Sequence, residues 1–238
     1  MAVKHSKRFR SAGEQVEESR TYSPAEAVAL VKRNATAKFD ETVEVHIRTG
    51  ADPRHADQQL RGVAVLPNGL GKAVRVAVFA AGDAARAAAE AGAEVVGGDD
   101  LIERVEGGFT DFDVAIATPD LMPKIGKLGR VLGRKGLMPN PRTNTVVQPN
   151  DLPTAVVEAK KGRVELRMDR TAIIHSPVGK ASFAESKLVE NISAVVDTVN
   201  RLKPEGIKGV FLRSMYLTST MGPSVPLDLG TTLTLTAE

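Results

Sequence analysis

A thirty-residue segment of one charge sign is the part of this sequence best suited to bind a charged ligand. From Leu121 to Asn150 it contains no Asp or Glu, whereas the forty residues before it contain ten acidic residues and two Arg. Its cations are Lys124, Lys127, Arg130, Arg134, Lys135 and Arg142. Clustered positive charge attracts polyanions and releases their counterions on binding, so RNA or DNA is the first partner to consider.

Two shorter groups of residues also have side chains that suit nucleic acid. The segment Lys38–Thr42 (KFDET) places an aromatic ring beside a cation. The segment Thr218–Pro223 (TSTMGP) offers hydroxyls for phosphates and 2′-hydroxyls on a backbone that can approach closely. Each group also has a plainer interpretation: Phe39 is typical of a core residue that anchors a turn, and hydroxyl-rich strand ends are common.

The sequence lacks the motifs of enzymes and metal sites. Residues 68–73 (NGLGKA) look faintly like a phosphate loop, but the required Gly and hydroxyl positions hold Leu66 and Ala73. There is no Cys, the four His are scattered, and no Ser lies in a G-x-S-x-G pattern. We therefore expect no catalytic residues, no metal and no cofactor, and a protein that is not an enzyme.

Composition is that of a soluble globular protein with one or two domains. The 238 residues are 42% hydrophobic and 26% charged, with a net charge of +3 and a pI of about 9.2. Seven Phe, two Tyr and no Trp are too few to stack many single-stranded bases. No apolar run is long enough to cross a bilayer and the start lacks a signal-peptide core, so a cytoplasmic location without membrane contact is expected.

A short basic tail begins the chain. It contains Lys4, Lys7, Arg8 and Arg10. We expect it to be disordered in the free protein, and its charge leaves two interpretations open: a solvated terminus or a contact to nucleic acid.

Both ends of the chain have the pattern of a sheet with one buried face. Ser23 and Glu26 predict a capped helix, and a long amphipathic helix is predicted from about Ala184 to Leu202. Apolar and polar residues alternate, as in strands, at 43–47, 164–168 and 211–215. We therefore expect the two ends to build one discontinuous α+β domain, an antiparallel sheet with helices.

The middle of the chain alternates short apolar strands with helices. Strands are predicted at 74–79, 95–96 and 114–117, and helices at 83–91, 99–105 and 154–160. This order predicts an inserted, Rossmann-like α/β domain of three layers. We place domain I at 1–66 and 162–238 and domain II at 67–161, with a hinge where the chain crosses twice between them.

Several runs of residues, in this order and spacing, carry a family resemblance. They are Ala37–Val45, Arg61–Gly62, Leu66–Pro67, Gly71–Lys72, Leu128–Gly133, Gly136–Pro141, Ile173–His175, Val178–Lys180 and Thr220–Val225. Together they closely resemble the bacterial L-one family, named for the first protein of the large ribosomal subunit. Ala172 and Asn144 stand where the family often has Gly, so the local turns are expected to differ.

The resemblance implies a structural, RNA-binding role on the ribosome. It implies binding to large-subunit ribosomal RNA, formation of the mobile stalk near the tRNA exit site, and help in releasing deacylated tRNA. It also implies repression of translation by binding the messenger of the protein's own operon. The implied partners are therefore ribosomal RNA, that mRNA, exit-site tRNA and the ribosome, and the free protein is expected to be a monomer.

Domain I is the main RNA-binding part in this family. Phe39 and Thr220–Gly222 match the positions that contact RNA there, Lys38 and Thr42 flank the first of them, and the other contacts are hypotheses from side-chain chemistry. The expected RNA-binding residues are Lys38, Phe39, Thr42, Arg54, His175, Lys180, Thr218, Thr220, Met221 and Gly222. In this interpretation Phe39 and Met221 pack on ribose or bases, and hydroxyls near Gly222 contact sugar edges. The secondary basic contact is assigned to Lys124, Lys127, Arg130, Arg134 and Lys135.

Two other classes of function were weighed against this one. A Rossmann-type enzyme is suggested by the α/β insertion, but fold alone does not imply function and the catalytic motifs are missing. A general DNA-compacting protein would be expected to carry more net charge than +3. A preference for folded RNA over duplex DNA distinguishes the ribosomal interpretation from the DNA-compacting one.

Overall fold

The computed structural model describes residues 6–17, 19–207 and 209–235, which form a mixed α/β protein. The α-helices are α1 (Lys7–Gly13), α2 (Pro24–Asn34), α3 (Asp83–Glu90), α4 (Asp99–Glu106), α5 (Met122–Ile125), α6 (Gly129–Leu132), α7 (Leu152–Gly162), α8 (Glu185–Arg201) and α9 (Leu229–Leu233). The strands are β1 (Thr42–Thr49), β2 (Arg61–Val65), β3 (Val76–Phe79), β4 (Val95–Gly97), β5 (Val114–Ala117), β6 (Arg163–Arg167), β7 (Ile173–Lys180), β8 (Leu212–Ser219) and β9 (Val225–Leu227). Within the described residues, no helix has the length and apolar character needed to span a bilayer.

The chain divides into two compact units. Unit 1 consists of Met1–Gly71 with Val164–Glu238, and unit 2 consists of Lys72–Arg163. The boundaries placed at 66/67 and 161/162 from the sequence stay a prediction, because compactness does not test whether each part folds by itself.

Unit 1 is built on a four-stranded antiparallel sheet in the order β7-β1-β8-β9. The central strand β1 pairs on both sides with strands that follow unit 2 in the sequence. Val43, Val45 and Ile47 of β1 are buried in the core of unit 1, as their alternation predicts. The intervening residues of β1 lie on the opposite face of the sheet and are partly or fully exposed. A second, two-stranded sheet pairs β2 with β6.

The two helices that pack on this core follow their sequence signals. At the start of α2, the Ser23 hydroxyl accepts the Glu26 N–H while the Glu26 carboxylate accepts the Ser23 N–H, which is the predicted capping box. Along α8, the apolar stripe that includes Leu188, Ile192 and Val199 is fully buried. The sheet is therefore covered on one face by α2 and α8.

Unit 2 is built on a parallel sheet in the order β4-β3-β5. Alternate residues of β3 belong to two separate cores. Ala77 and Phe79 join a core with α4 and the segment 121–132, whereas Val76 and Val78 join a core with α3 and α7. Helices thus pack on both faces of the sheet, as is typical of parallel sheets.

Residues 121–150, which we call the acid-free segment, form short helices that were not predicted from the sequence. Leu121, Ile125, Leu128 and Leu132 are buried at helical spacing, on α5, α6 and the 3₁₀ turns Pro119–Leu121 and Gly126–Leu128. Gly at three positions within 126–133 hides this periodicity, because Gly is a poor helix former. The cations of the segment are therefore carried on a folded scaffold.

The expectation of a disordered basic tail is wrong for the described part of it. Lys7–Gly13 forms α1, and the Ser6 hydroxyl accepts the N–H of Phe9 at 3.3 Å as an N-cap. Lys4 lies outside the described residues. Ser6 is a typical N-cap residue, so the start of this helix could have been predicted. The clustered positive charge led instead to the expectation of disorder.

Both positions at which the family often has Gly have a left-handed backbone. Asn144 has φ 49° and Ala172 has φ 64°. Gly adopts this conformation without steric cost, and Asn tolerates it better than Ala does. Ala172 is therefore a strained position, and it lies directly before β7.

The turn that holds Ala172 is organised by the carboxylate of Asp169. Its oxygens accept the N–H groups of Thr171 and Ile173, both at 2.8 Å, and the Thr171 hydroxyl. Burial by itself raises the pKa of Asp169, but these hydrogen bonds outweigh it and lower the pKa to about 2. The turn thus sets the start of β7, the strand that carries His175.

Replacing Asp169 by Asn tests this turn. The shift of the Asp169 pKa corresponds to roughly 2 kcal/mol at neutral pH, which solvent exposure of the side chain reduces to about 1 kcal/mol. Because the folded-state pKa is depressed, this stabilisation is complete above about pH 4 and is lost as the pH falls toward about 2. Urea unfolding of both proteins from pH 7 to pH 3 should show converging free energies; a difference independent of pH would contradict the assignment.

Candidate nucleic-acid interface

One corner of the unit 1 sheet brings together most of the residues expected to bind RNA. We call it the Glu41 corner and define it as residues 37–42, Lys180 and residues 219–222. It lies where β1 begins and where β7 and β8 end, because Thr42 is paired with Lys180 and Val43 with Ser219. Antiparallel pairing therefore joins three segments that are far apart in the sequence.

The carboxylate of Glu41 holds two loops of this corner together. It accepts the N–H of Ala37 at 2.9 Å and the N–H of Met221 at 3.0 Å, and the residue is only 1% exposed. Burial alone raises the pKa of Glu41, but the two backbone donors outweigh it and keep the pKa below its ordinary value. The buried group is therefore an anion whose oxygens are satisfied by the loops it fixes.

Thr42, Thr220 and Lys180 connect the loops to the sheet. The N–H of Thr42 donates to the Thr220 hydroxyl at 2.9 Å, and the N–H of Thr220 donates to the Thr42 carbonyl at 3.0 Å. The Lys180 ammonium donates to the Thr42 hydroxyl at 2.9 Å. This contact fixes one cation beside the corner while leaving it partly exposed.

The turn at residues 219–222 is tight, and the hydroxyl of Thr218 beside it bonds within the protein. The N–H of Gly222 donates to the Ser219 carbonyl at 3.1 Å, and a Cβ added at Gly222 would lie 2.5 Å from the Ser219 hydroxyl. The Thr218 hydroxyl donates to the Ser219 and Gly222 carbonyls. Gly222 thus has a steric reason to be Gly, and Thr218 shapes the turn rather than offering its proton to a ligand.

The corner presents two apolar side chains to solvent. Phe39 is 54% exposed and Met221 is 48% exposed, so the interpretation of Phe39 as a core residue is wrong. Lys38 is exposed beside Phe39, and Asp40 holds the loop by accepting the N–H and hydroxyl of Ser182. Apolar groups on loops that are already ordered lose little entropy on binding, which suits them to contact a partner.

His175 lies on the open sheet face and pairs with a second histidine. Its Nδ1 is 2.8 Å from Nδ1 of His46, and its Nε2 is 3.5 Å from Asp169. Burial, and then the charge of His175, lower the pKa of His46, while Glu44 opposes them. Since one Nδ1 must accept the hydrogen of the other, the two rings cannot both carry a hydrogen on Nδ1.

Arg54, like His175 and Thr218, is an expected unit 1 contact that lies outside the residues of the corner. It is exposed in the turn after β1, at the opposite end of that strand from Thr42. A strand of this length places the two ends roughly 23 Å apart. Arg54 therefore extends the basic surface of unit 1 along the sheet instead of joining the Glu41 corner.

The basic residues expected to make a secondary contact lie in unit 2, and they differ in how far their charge is satisfied. Lys124 forms an ion pair with Asp99 at 2.7 Å, and Lys135 donates to the Thr110 hydroxyl. Lys127, Arg130 and Arg134 have no acidic partner among the described residues. These three are thus the cations of the segment most available to an anion. In the same described part of the chain, no group of three His, Cys, Asp or Glu is placed to hold a metal ion.

Sequence reasoning gave no role to Glu41, although a signal for it exists. Glu41 lies two residues before Val43, so a strand places its side chain on the same face as the buried Val43, Val45 and Ile47. A carboxylate on the buried face of a strand needs hydrogen-bond donors inside the protein, because an unpaired buried charge is costly. That argument identifies Glu41 as a residue that positions both loops.

We expect Glu41→Gln to loosen both loops. The amide keeps one acceptor but places an NH₂ donor against a backbone N–H, so the free energy of unfolding should fall by about 1–3 kcal/mol. Hydrogen exchange at the amides of Ala37 and Met221 should accelerate. Asp40→Asn is the matched control, since it makes the same chemical change on an exposed neighbour and should cost less than about 1 kcal/mol. Equal effects of the two substitutions would contradict the role of Glu41.

Comparison with known proteins connects this geometry to a family. The model of the "Ribosomal protein L1p/L10e family" matches residues 31–223 of the chain. The chain is 57% identical over 227 residues to the large ribosomal subunit protein uL1 of Dehalococcoides mccartyi, a match that covers 95% of this chain and 96% of that protein. The uL1 protein of Chloroflexus aggregans is 55% identical with the same coverage, and that of Thermobifida fusca is 54% identical over 95% of each chain.

These matches confirm the resemblance seen in the sequence motifs. The matched region includes both halves of unit 1 that form the Glu41 corner, and it spans all of unit 2. Identity above one half over nearly the full length leaves no part of the interface outside the comparison. The chain belongs to the ribosomal protein L1p/L10e family.

Proposed function

We propose that this chain binds large-subunit ribosomal RNA through the Glu41 corner and the adjoining open sheet face. Membership of the family makes it a ribosomal protein of the large subunit, not an enzyme, and associates it with the ribosome in the cytoplasm. The observation that supports this RNA site best is the pair of ordered loops that present Phe39 and Met221 beside Lys38 and Lys180.

This surface suits recognition of folded RNA by shape. RNA helices and junctions display 2′-hydroxyls and base edges on shallow surfaces, which a rigid protrusion can contact without reading a sequence. Met221 and Phe39 form such a protrusion, and the backbone at Gly222 can approach closely because the residue has no Cβ. Lys38, Lys180 and the more distant Arg54 supply charge for phosphates along the sheet.

A second part of the proposal concerns the messenger of the protein's own operon. A surface that recognises shape binds any RNA that reproduces the same fold, so one site can serve both ribosomal RNA and an operon mRNA. Binding to the two RNAs would then be mutually exclusive. Repression of translation follows from this competition when free protein exceeds its ribosomal RNA sites.

A third part concerns unit 2 and tRNA. We propose that the two compact units are the discontinuous domain I and an inserted Rossmann-like domain II of the family, with the chain passing between them at 71/72 and 163/164. Two chain connections provide a hinge for domain II, which a mobile stalk near the tRNA exit site requires. Lys127, Arg130 and Arg134 would then contact exit-site tRNA and assist the release of deacylated tRNA, while the free protein is a monomer.

The corner is tested by Met221→Asp. The change removes an apolar contact and adds an anion facing phosphates, so affinity for a large-subunit RNA fragment should fall by about tenfold or more at physiological salt. Filter binding measures it, with the fragment chosen as the region that the wild-type protein protects from nucleases. Val157→Asp is the matched control, because Val157 is an equally exposed apolar residue of unit 2. Unchanged affinity of Met221→Asp, or equal wild-type affinity for duplex DNA, would contradict the proposal.

The tRNA contact is tested by replacing Lys127, Arg130 and Arg134 together with Gln. Loss of up to three phosphate contacts should weaken binding to deacylated tRNA and reduce the slope of log affinity against log salt by about 2–3. Affinity for the ribosomal RNA fragment should change by less than about threefold. An unchanged salt slope for tRNA would remove unit 2 from the proposed contact.

A further inference from the structure

A row of four rings crosses the open face of the unit 1 sheet. His46 of β1 is paired with His175 of β7 on one side and with Tyr216 of β8 on the other. Tyr216 is in turn paired with Pro226 of β9. Each strand of the sheet therefore contributes one planar or near-planar ring to a line perpendicular to the strands.

Tyr216 is the ring in this row best placed to receive a flat ligand. It is 40% exposed, whereas the other tyrosine, Tyr22, is buried in the core. The His46 and His175 rings contact each other edge to face with centroids 4.9 Å apart, so their faces are partly occupied. Tyr216 has no such aromatic neighbour among the described residues.

A groove borders Tyr216 on the side of α1. Its volume is about 440 Å³, within the range of small-molecule sites. Its lining combines polar and apolar surface and consists of Phe9, Gly13, Val16, Tyr216, Pro223, Ser224 and Pro226. A smaller hollow of about 200 Å³ lies on the other side of Tyr216 and Pro226, but it contains the carboxylate residue Asp228 and is less suited to an anionic ligand.

The charge around the groove fits a nucleotide. Lys7, Arg8 and Arg10 are exposed on α1, which contains no acidic residue and lies along the groove through Phe9 and Gly13. A groove with an aromatic wall, beside a helix that carries three exposed cations, matches a flat base attached to an anionic backbone. The groove also continues the proposed interface, because β8 runs from Tyr216 directly into the turn at 219–222.

We propose that this groove holds one unpaired base of the bound RNA, stacked on the ring of Tyr216, with its phosphates facing the cations of α1. The inference rests on the proposed RNA-binding function and deepens it by adding a contact to a base. Single-stranded bases in loops and bulges are commonly recognised by stacking on aromatic side chains. One exposed Tyr corresponds to one stacked base, which agrees with the low aromatic content of the chain.

The proposal is tested by Tyr216→Ala and Tyr216→Phe on the same nuclease-protected ribosomal RNA fragment. Loss of a stacked base should weaken binding by about 5- to 100-fold in Tyr216→Ala, with the salt slope unchanged because no phosphate contact is lost. Tyr216→Phe keeps the ring and should stay within about threefold of wild type. Val157→Ala truncates an exposed apolar residue of unit 2 and is the control. Thermal unfolding confirms that each variant is folded.

A fluorescent base locates the contact on the RNA. With 2-aminopurine placed in turn at each unpaired position, one position should be quenched on binding wild type and Tyr216→Phe but not Tyr216→Ala. An abasic nucleotide at that position should weaken binding of wild type and add no further loss in Tyr216→Ala.

The outcomes separate this inference from the proposed function. If Met221→Asp weakens binding but Tyr216→Ala does not, the corner binds RNA and the groove does not hold a base. If Tyr216→Phe is as weak as Tyr216→Ala, the hydroxyl rather than the ring makes the contact, and stacking is overturned. If wild type shows no preference for the ribosomal RNA fragment over duplex DNA, the proposed function itself fails.

Discussion

The carboxylate of Glu41 is the interaction on which the geometry of the corner depends. A buried anion is tolerated only where donors compensate for the water it has lost, and here the donors are the backbone N–H groups of Ala37 and Met221. Those two groups belong to loops from opposite ends of the chain. The charge therefore fixes the distance between the loops, and with it the separation of the exposed Phe39 and Met221 side chains.

Under the proposed function, the rigid corner and the basic segment bind a polyanion in two different ways. At the corner, cations are few and one of them, Lys180, is held by a hydrogen bond to Thr42, so shape contributes more than charge. In unit 2, Lys127, Arg130 and Arg134 lie on short helices without acidic partners among the described residues, so charge contributes more than shape. Contacts of the second kind weaken strongly as salt increases, whereas apolar and backbone contacts do not.

The regular elements could be predicted because their periodicity is local. Val43, Val45 and Ile47 alternate, Ser23 and Glu26 form a capping box, and the stripe through Leu188 and Ile192 has helical spacing. The corner could not be predicted in this way, since periodicity does not say whether a loop residue such as Phe39 packs inward or outward. The family resemblance supplied most of its residues, and their RNA-binding roles stay a prediction. The structure adds that the Thr218 and Thr220 hydroxyls form hydrogen bonds within the protein. The short helices of the acid-free segment were not predicted because Gly is a poor helix former. The helix at Lys7–Gly13 was not predicted because its clustered charge indicated disorder.

The placement of β1 at the centre of its sheet has a consequence for biosynthesis. Its partners β7 and β8 are translated only after all of unit 2, and the hydrogen bond from Thr42 to Thr220 spans 178 positions. Unit 2 is contiguous in the chain, so it can fold while the ribosome is still extending the polypeptide, whereas β1 must wait for the C-terminal strands. The Glu41 corner is therefore among the last features to form, and a truncated nascent chain lacks it. The proposed RNA-binding surface therefore forms only once the C-terminal strands β7 and β8 have been made and have paired with β1.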